Sequence, residues 1–137
     1  MIIRDALKKD LPECERIIQI PELKFCNNGY PNNYFLHNYL EKDYFLVAEE
    51  NNKIIGFILG EKLKSDYIII WYLAVDKNHR GNGIGSRLLD EYEKRAKANG
   101  FKWAMLQSHL DSKKNMEFYQ KKEYHRGKSF VDYAKFL

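Results

Sequence analysis

Residues 67–75 (YIIIWYLAV) form a largely apolar run that passes through a short polar turn into Arg80-Gly81-Asn82-Gly83-Ile84-Gly85, where a helical pattern begins. A buried strand that hands straight to a glycine-spaced turn and a helix permits few folds, because such a strand needs sheet neighbours and a helical layer to cover it. The turn also leaves the first N–H groups of the helix without intrahelical partners, at the positive end of the helix dipole. That arrangement suits a phosphate.

The remaining chain supplies a sheet and its cover. Ile2–Arg4 reads as a short strand, and Asp10-Leu11-Pro12-Glu13 as a capping box with proline in the first helical turn. Leu11, Cys14, Ile17 and Ile18 then share a helical face that Pro21 ends. After the loop 21–33, Phe35, Leu36, Tyr39 and Leu40 repeat a helical spacing. Residues 44–49 and 53–60 are β-prone runs joined through Asn51-Asn52, a pair that tolerates the positive φ of a tight hairpin. Residues 67–75 make the third consecutive strand, expected at the sheet's centre. Ile84, Leu88, Leu89, Tyr92 and Ala96 stripe a helix over 84–99, and Gly100 stands where a left-handed cap belongs. A strand over 101–108 completes a βαβ unit with two parallel strands. A helix over 112–122 and terminal strands at 124–126 and 131–136 follow. The sum is a mixed α/β sheet flanked by about four helices.

At 137 residues and 45% hydrophobic, the chain predicts one domain spanning 1–137. The two cysteines, Cys14 and Cys26, have neither disulfide-framework nor metal spacing, so no metal site is expected and a reducing, cytoplasmic setting fits. The sequence has no run of about 18 apolar residues and no signal-peptide pattern at its start, which predicts no membrane partner. The net charge of +4, from 23 basic and 19 acidic residues, is interspersed, which argues against nucleic acid.

Spacing decides what the glycine turn can be. A P-loop counted from Gly81 would need glycine, lysine and a hydroxyl residue where Ser86, Arg87 and Leu88 stand. A dinucleotide fingerprint starting at Gly81 and Gly83 meets Ser86 at its third position, and its strand would come first in the fold rather than after a hairpin. What remains is Arg-x-x-Gly-x-Gly, carried by Arg80, Gly83 and Gly85. Here the chain resembles the GCN5-related N-acetyltransferase family. The Ile-Arg opening strand, VAEENNKIIGFILG, LAVDKNHRGNGIGSRLLDEYEKRAKANG and FYQKKEYH are similar to successive blocks of that family, in order.

The resemblance implies an acyltransferase fold whose sheet splays between its fourth and fifth strands, and acetyl-coenzyme A as acyl donor. It implies that the backbone of Gly81, Asn82, Gly83, Ile84, Gly85 and Ser86 holds the diphosphate, with Arg80 shaping the loop or adding charge. A backbone N–H around Leu73, Ala74 and Val75, beside a bulge, would polarise the thioester carbonyl. Tyr119, from its residues alone an aromatic on the Met116–Phe118 side of a helix, becomes the general acid for the departing thiolate. Its ordinary pKa of about 10 suits that work at neutral pH. The family's asparagine seven residues earlier is Ser112 here, and Asn115, one turn before Tyr119, stands as a substitute contact or as a plain surface residue. Glu123 occupies the place of the family's usual turn glycine.

The acceptor implied is a primary amine that attacks the thioester directly in a ternary complex, on a protein that is a monomer or homodimer. An alkylammonium of pKa 10.4 is neutral about once in 2,500 molecules at pH 7, roughly 4.6 kcal/mol uphill, so a base or water relay would help. Glu49, Asp66, Tyr72, His109 and Asp111 are candidates, and the sequence selects none of them. Tyr30, Tyr34, Phe35 and His37 fall in the segment that resembles the family's acceptor wall. The alternative function is a coenzyme A binding or sensing module without turnover.

Overall fold

The computed structural model describes residues 1–25, 28–40 and 44–137; Cys26 lies outside the described residues. The chain divides into two compact units, 1–106 and 107–137.

The first unit is a five-stranded sheet in the order β1 (Ile2–Asp5), β2 (Phe45–Glu50), β3 (Lys53–Lys62), β4 (Tyr67–Val75) and β5 (Trp103–Leu106). The first three pairings are antiparallel and β4–β5 is parallel, so the strand that feeds the glycine turn is fourth in the sheet and β3 is its centre. This corrects the placement of residues 67–75 at the centre. Residues 54–60 of β3 are buried continuously, as a strand covered on both faces must be, whereas β4 exposes Tyr67 and Trp71. The β2–β3 hairpin turns as its asparagines predict, with Asn51 at φ +49° and Asn52 at φ +60°.

Helices α1 (Leu11–Ile17) and α2 (Asn33–His37) cover one face, where Leu11, Cys14, Ile17, Ile18 and Leu36 pack on Phe45, Val47, Phe57 and Leu59. Asp10 does not cap α1 through its side chain. Its carboxylate instead accepts from the Leu7 N–H at 2.8 Å and from Arg4 at 2.7 and 3.0 Å, so the acid that local spacing assigns to a capping box is claimed by a β1 arginine.

Helix α3 (Ile84–Ala98) covers the other face, burying the predicted stripe of Ile84, Leu88, Leu89, Tyr92 and Ala96. Gly56 lets it lie close: a Cβ there would stand 3.3 Å from both Ile84 Cγ2 and Leu88 Cδ1. Gly100, at φ +86°, ends α3 with Phe101 N–H donating to Ala96 O at 3.1 Å and Gly100 N–H to Lys97 O at 3.0 Å, the paired bonds of a Schellman cap.

The second unit carries α4 (Lys113–Lys121). Residues 124–137 form no strand, contrary to the strands expected at 124–126 and 131–136, and Phe130, Val131, Tyr133 and Phe136 are exposed. An alternating apolar pattern defines a face; a strand also needs a backbone partner.

Candidate functional site

Strands β4 and β5 pair only from Tyr67↔Trp103 to Ile70↔Leu106. Beyond Ile70 the β4 backbone continues through Val75 paired, among the described residues, to β3 alone, which is the splay expected between the fourth and fifth strands. The register shift against β3 falls where Leu59 faces Tyr72 and Gly60 faces Ile70, leaving Trp71 as the extra residue. The bulge therefore sits at Trp71, just upstream of the Leu73–Val75 stretch.

Which amides face the opening follows from strand alternation. The Asp76 N–H donates to Ile55 O on β3 at 2.9 Å, so Ala74, two residues earlier, also turns its peptide groups to β3. Leu73 and Val75 turn theirs to the open side. The Val75 carbonyl there accepts from Arg80 Nε at 3.0 Å, so the guanidinium folds back on the end of β4 and braces the turn. Ala74 contributes a buried side chain to the core.

The turn itself is built by Asp76, a residue the sequence reading passed over. Its Oδ1 accepts from the Asn78 N–H at 2.9 Å and lies 3.2 Å from His79 Nδ1, and its Oδ2 accepts from the Arg16 guanidinium at 2.6 Å. Arg16 and the Asn78 N–H hold the Asp76 carboxyl at about 2. Its legible signal was an aspartate at a strand end two residues before an asparagine, an Asx-turn pattern. A polar groove of about 570 Å³ lined by Arg4, Asp10, Arg16, Glu49, Asp76 and His79 runs beside this network.

Gly81 at φ +81° and Gly83 at φ +74° carry the chain through left-handed conformations into α3. Among the described residues, a Cβ on either would meet nothing within 4 Å beyond its chain neighbours, so the requirement for glycine is conformational. Gly83 is the N-cap and no side chain caps it, so the N–H groups of Ile84, Gly85 and Ser86 have no intrahelical acceptor; the ladder begins with Arg87 N–H to Gly83 O at 3.0 Å.

The candidate bases separate by partner. Glu49 accepts from Arg4 Nε at 2.6 Å, and Asp66 lies 3.3 Å from Lys102 Nζ on the exposed turn before β4. Burial raises the Tyr72 phenol, which makes it a poor base at neutral pH. Its neighbour Phe35 packs edge-to-face on it with ring centroids 6.0 Å apart, which joins one residue of the expected acceptor wall to β4; Tyr34 and His37 are exposed. His109 and Asp111 are exposed in the second unit.

In that second unit Tyr119 packs edge-to-face on Tyr124 at 5.7 Å, and burial pushes its phenol up to about 12. Asn115 is exposed on α4. Glu123 adopts φ +64°, and its N–H donates to Gln120 O while Tyr124 N–H donates to Tyr119 O, each at 3.0 Å. The turn after α4 is thus a Schellman cap with glutamate in the glycine position.

Among the described residues, no group of three or more His, Cys, Asp or Glu side chains could hold a metal ion, and no helix is long and apolar enough to cross a membrane.

A strand opened on one side runs here into a glycine turn and an uncapped helix, and residues 4–124 match the acetyltransferase (GNAT) family. The chain belongs to that family. It is 37% identical over 94 residues, 68% of this chain and 57% of the relative, to an uncharacterised N-acetyltransferase of Methanocaldococcus jannaschii. It is 38% identical over 47 residues, 33% of this chain and 27% of the relative, to the L-2,4-diaminobutyric acid acetyltransferase of Marinococcus halophilus. Across the first curated relatives the match spans about a quarter to six-tenths of their own length. The fold is similar to that of PaiA N-acetyltransferase from Thermoplasma acidophilum, solved in complex with coenzyme A, with a TM-score of 0.77 and 20% identity over 88% of this chain and 87% of that one.

Proposed function

We propose that residues 1–137 act as one acetyltransferase domain that moves the acetyl group of acetyl-coenzyme A to a primary amine. One observation carries the reading: β4 loses its β5 partner at Ile70 and then delivers two left-handed glycines and an uncapped α3 N-terminus within one short turn. The names of the relatives support amine acetylation, and the coenzyme A held by the Thermoplasma acidophilum protein supports the donor.

In this mechanism the diphosphate lies on the amides of residues 81–86, where glycine allows close approach and the α3 dipole opposes its charge. The pantetheine arm follows the open edge of β4. The Leu73 and Val75 amides line it, Ala74 packs beneath, and Asn115 contributes a polar contact. A β4 N–H polarises the thioester carbonyl. The neutral amine nitrogen attacks that carbon, the C–N bond forms, and collapse of the tetrahedral adduct breaks the C–S bond. Tyr119, whose raised phenol stays protonated, gives its proton to the leaving sulfur, and the nitrogen loses its excess proton to water.

The alternative, a coenzyme A binding module without turnover, draws on the Arg4 contact that occupies Glu49 and on the Lys102 pairing of Asp66. A thiol-release screen over mono-, di- and polyamines, amino acids and peptides separates the two. Release above background with an amine supports transfer; binding of coenzyme A with no release from any acceptor supports the module. Gly83→Val, with folding checked by circular dichroism, is expected to abolish coenzyme A binding, and normal binding would remove the glycine turn from the donor site.

A further inference from the structure

Gly81 and Gly83 adopt left-handed backbone because glycine permits it, and the same permissiveness leaves the segment free to take other conformations. Gly83 caps α3 without a side chain, so the turn has little of its own to hold it. What fixes it comes before it. The Asp76 N–H donates to Ile55 O on β3 at 2.9 Å, and the Asp76 carbonyl accepts from the His79 N–H at 2.9 Å. Asp76 Oδ1 accepts from the Asn78 N–H, also at 2.9 Å. The His79 carbonyl in turn accepts from Asn82 Nδ2 at 3.3 Å, which carries the ordering to the residue between the two glycines. Asp76 is thus the anchor of the turn, and its Oδ2 reaches back to α1, where it accepts from Arg16 Nη1 at 2.6 Å. Glu13, one helical turn earlier, accepts from Arg16 Nε at 3.0 Å and Nη2 at 2.9 Å, which leaves Nη1 for Asp76. Held by Arg16 at one oxygen, the carboxylate keeps its other oxygen on the Asn78 N–H.

We infer that Arg16 is a positioning residue for the donor: acting through Asp76, it presets the backbone of residues 78–86 for the diphosphate, so that the affinity for coenzyme A is set in part from α1. This rests on the donor site proposed above. Amides already in place bind an anion without the ordering cost that a loose glycine segment bears at each encounter. Arg16 has a second way to act, as a bare positive charge whose field the phosphates feel. The two differ in sign at Asp76. Neutralising that carboxylate removes a negative charge near the turn, which strengthens binding if the field alone matters and weakens it if the bond to Arg16 is what matters.

The test is calorimetric titration of coenzyme A into wild type, Arg16→Gln, Asp76→Asn and the double variant, with circular dichroism as the check on folding. Each single variant is expected to raise Kd by about three- to tenfold, and the double variant should match the singles to within about twofold, because all three break one bond. Glu15→Ala is the control on the adjacent residue of α1: it removes the acceptor of the Asn33 N–H, bonded at 2.9 Å, and should leave Kd within about twofold. Tighter binding by Asp76→Asn, losses that multiply in the double variant, an equal loss in Glu15→Ala, or a Kd that Arg16→Gln leaves unchanged overturns the positioning role. If wild type does not bind coenzyme A, the donor site itself fails, and hydrogen exchange of the ligand-free protein decides whether Arg16 holds the turn. Faster exchange across residues 78–87 in Arg16→Gln, with residues 53–60 unchanged, supports it; no change in 78–87, or an equal change in both segments, overturns it.

Discussion

Asp76 Oδ2 accepts from the Arg16 guanidinium at 2.6 Å while Oδ1 of the same carboxylate accepts from the Asn78 N–H at 2.9 Å, so one side chain ties α1 to the turn that leads into the glycine loop. The Asp76 side chain is 5% exposed and Arg16 53%, so water screens one end of the pair. The carboxyl sits at about 2 against an ordinary 3.8. A folded value below the unfolded one stabilises the protein above the unfolded pKa, and that stabilisation is lost as pH falls through the folded value. Asp76→Asn is expected to cost about 1 kcal/mol in urea unfolding at pH 7, the discounted scale of a half-exposed pair. The gap from wild type should close between about pH 4 and pH 2. A gap that persists at pH 2 would assign the effect to something other than the carboxylate.

Gly60 and Tyr92 share a space that admits no side chain. Tyr92 Oη donates to Ile69 O at 2.7 Å, and a Cβ on Gly60 would overlap both atoms of that bond. Gly60→Ala is expected to destabilise by about 2–4 kcal/mol, the range for overpacking plus a broken buried hydrogen bond. Adding Tyr92→Phe removes one obstacle and leaves the Ile69 carbonyl, so the double variant should not recover wild-type stability. Chemical denaturation of wild type and the two variants checks this, and full recovery would mean the strand pair can shift.

Local chemistry and distant partnership account for what the sequence disclosed. The Asn51-Asn52 hairpin, the α3 stripe and the Gly100 cap are properties of neighbouring residues, and each stands in the structure as its residues predict. Asp10 carries the signal of a helix cap, yet Arg4 takes its carboxylate. The extra residue at Trp71 depends on how β3 and β4 register, which no single strand encodes. In the site, the glycine turn was legible because positive φ has a residue preference. The Arg16–Asp76 bond that ties α1 to that turn was not, since no local pattern names a partner 60 residues away.

Tyr119→Phe tests the proton donor. Removing the phenol should lower kcat by about 10–100-fold, the usual worth of a positioned acid, and leave the coenzyme A Kd within about twofold. Because burial pushes the phenol up to about 12, wild-type kcat should show no loss assignable to Tyr119 deprotonation up to about pH 10. A kcat equal to wild type in the variant would take Tyr119 out of the mechanism.

Glu123 keeps a glycine turn's geometry with a residue that carries a Cβ. Its φ of +64° lies in the left-handed region, and the two bonds that close the cap, Glu123 N–H to Gln120 O and Tyr124 N–H to Tyr119 O, are both made at 3.0 Å. Left-handed backbone costs a residue with a Cβ about 1–2 kcal/mol, and glycine avoids that cost while losing more freedom on folding. The balance favours glycine here, because the Glu123 side chain is exposed. Glu123→Gly is therefore expected to stabilise the protein by about 0.5–1 kcal/mol, raising Tm by about 2–4 °C. Glu123→Ala keeps the Cβ and should give no comparable gain. If alanine stabilises as much as glycine, the side chain's charge and not its backbone conformation is what the wild type tolerates; if glycine lowers Tm, the left-handed turn carries no strain to relieve.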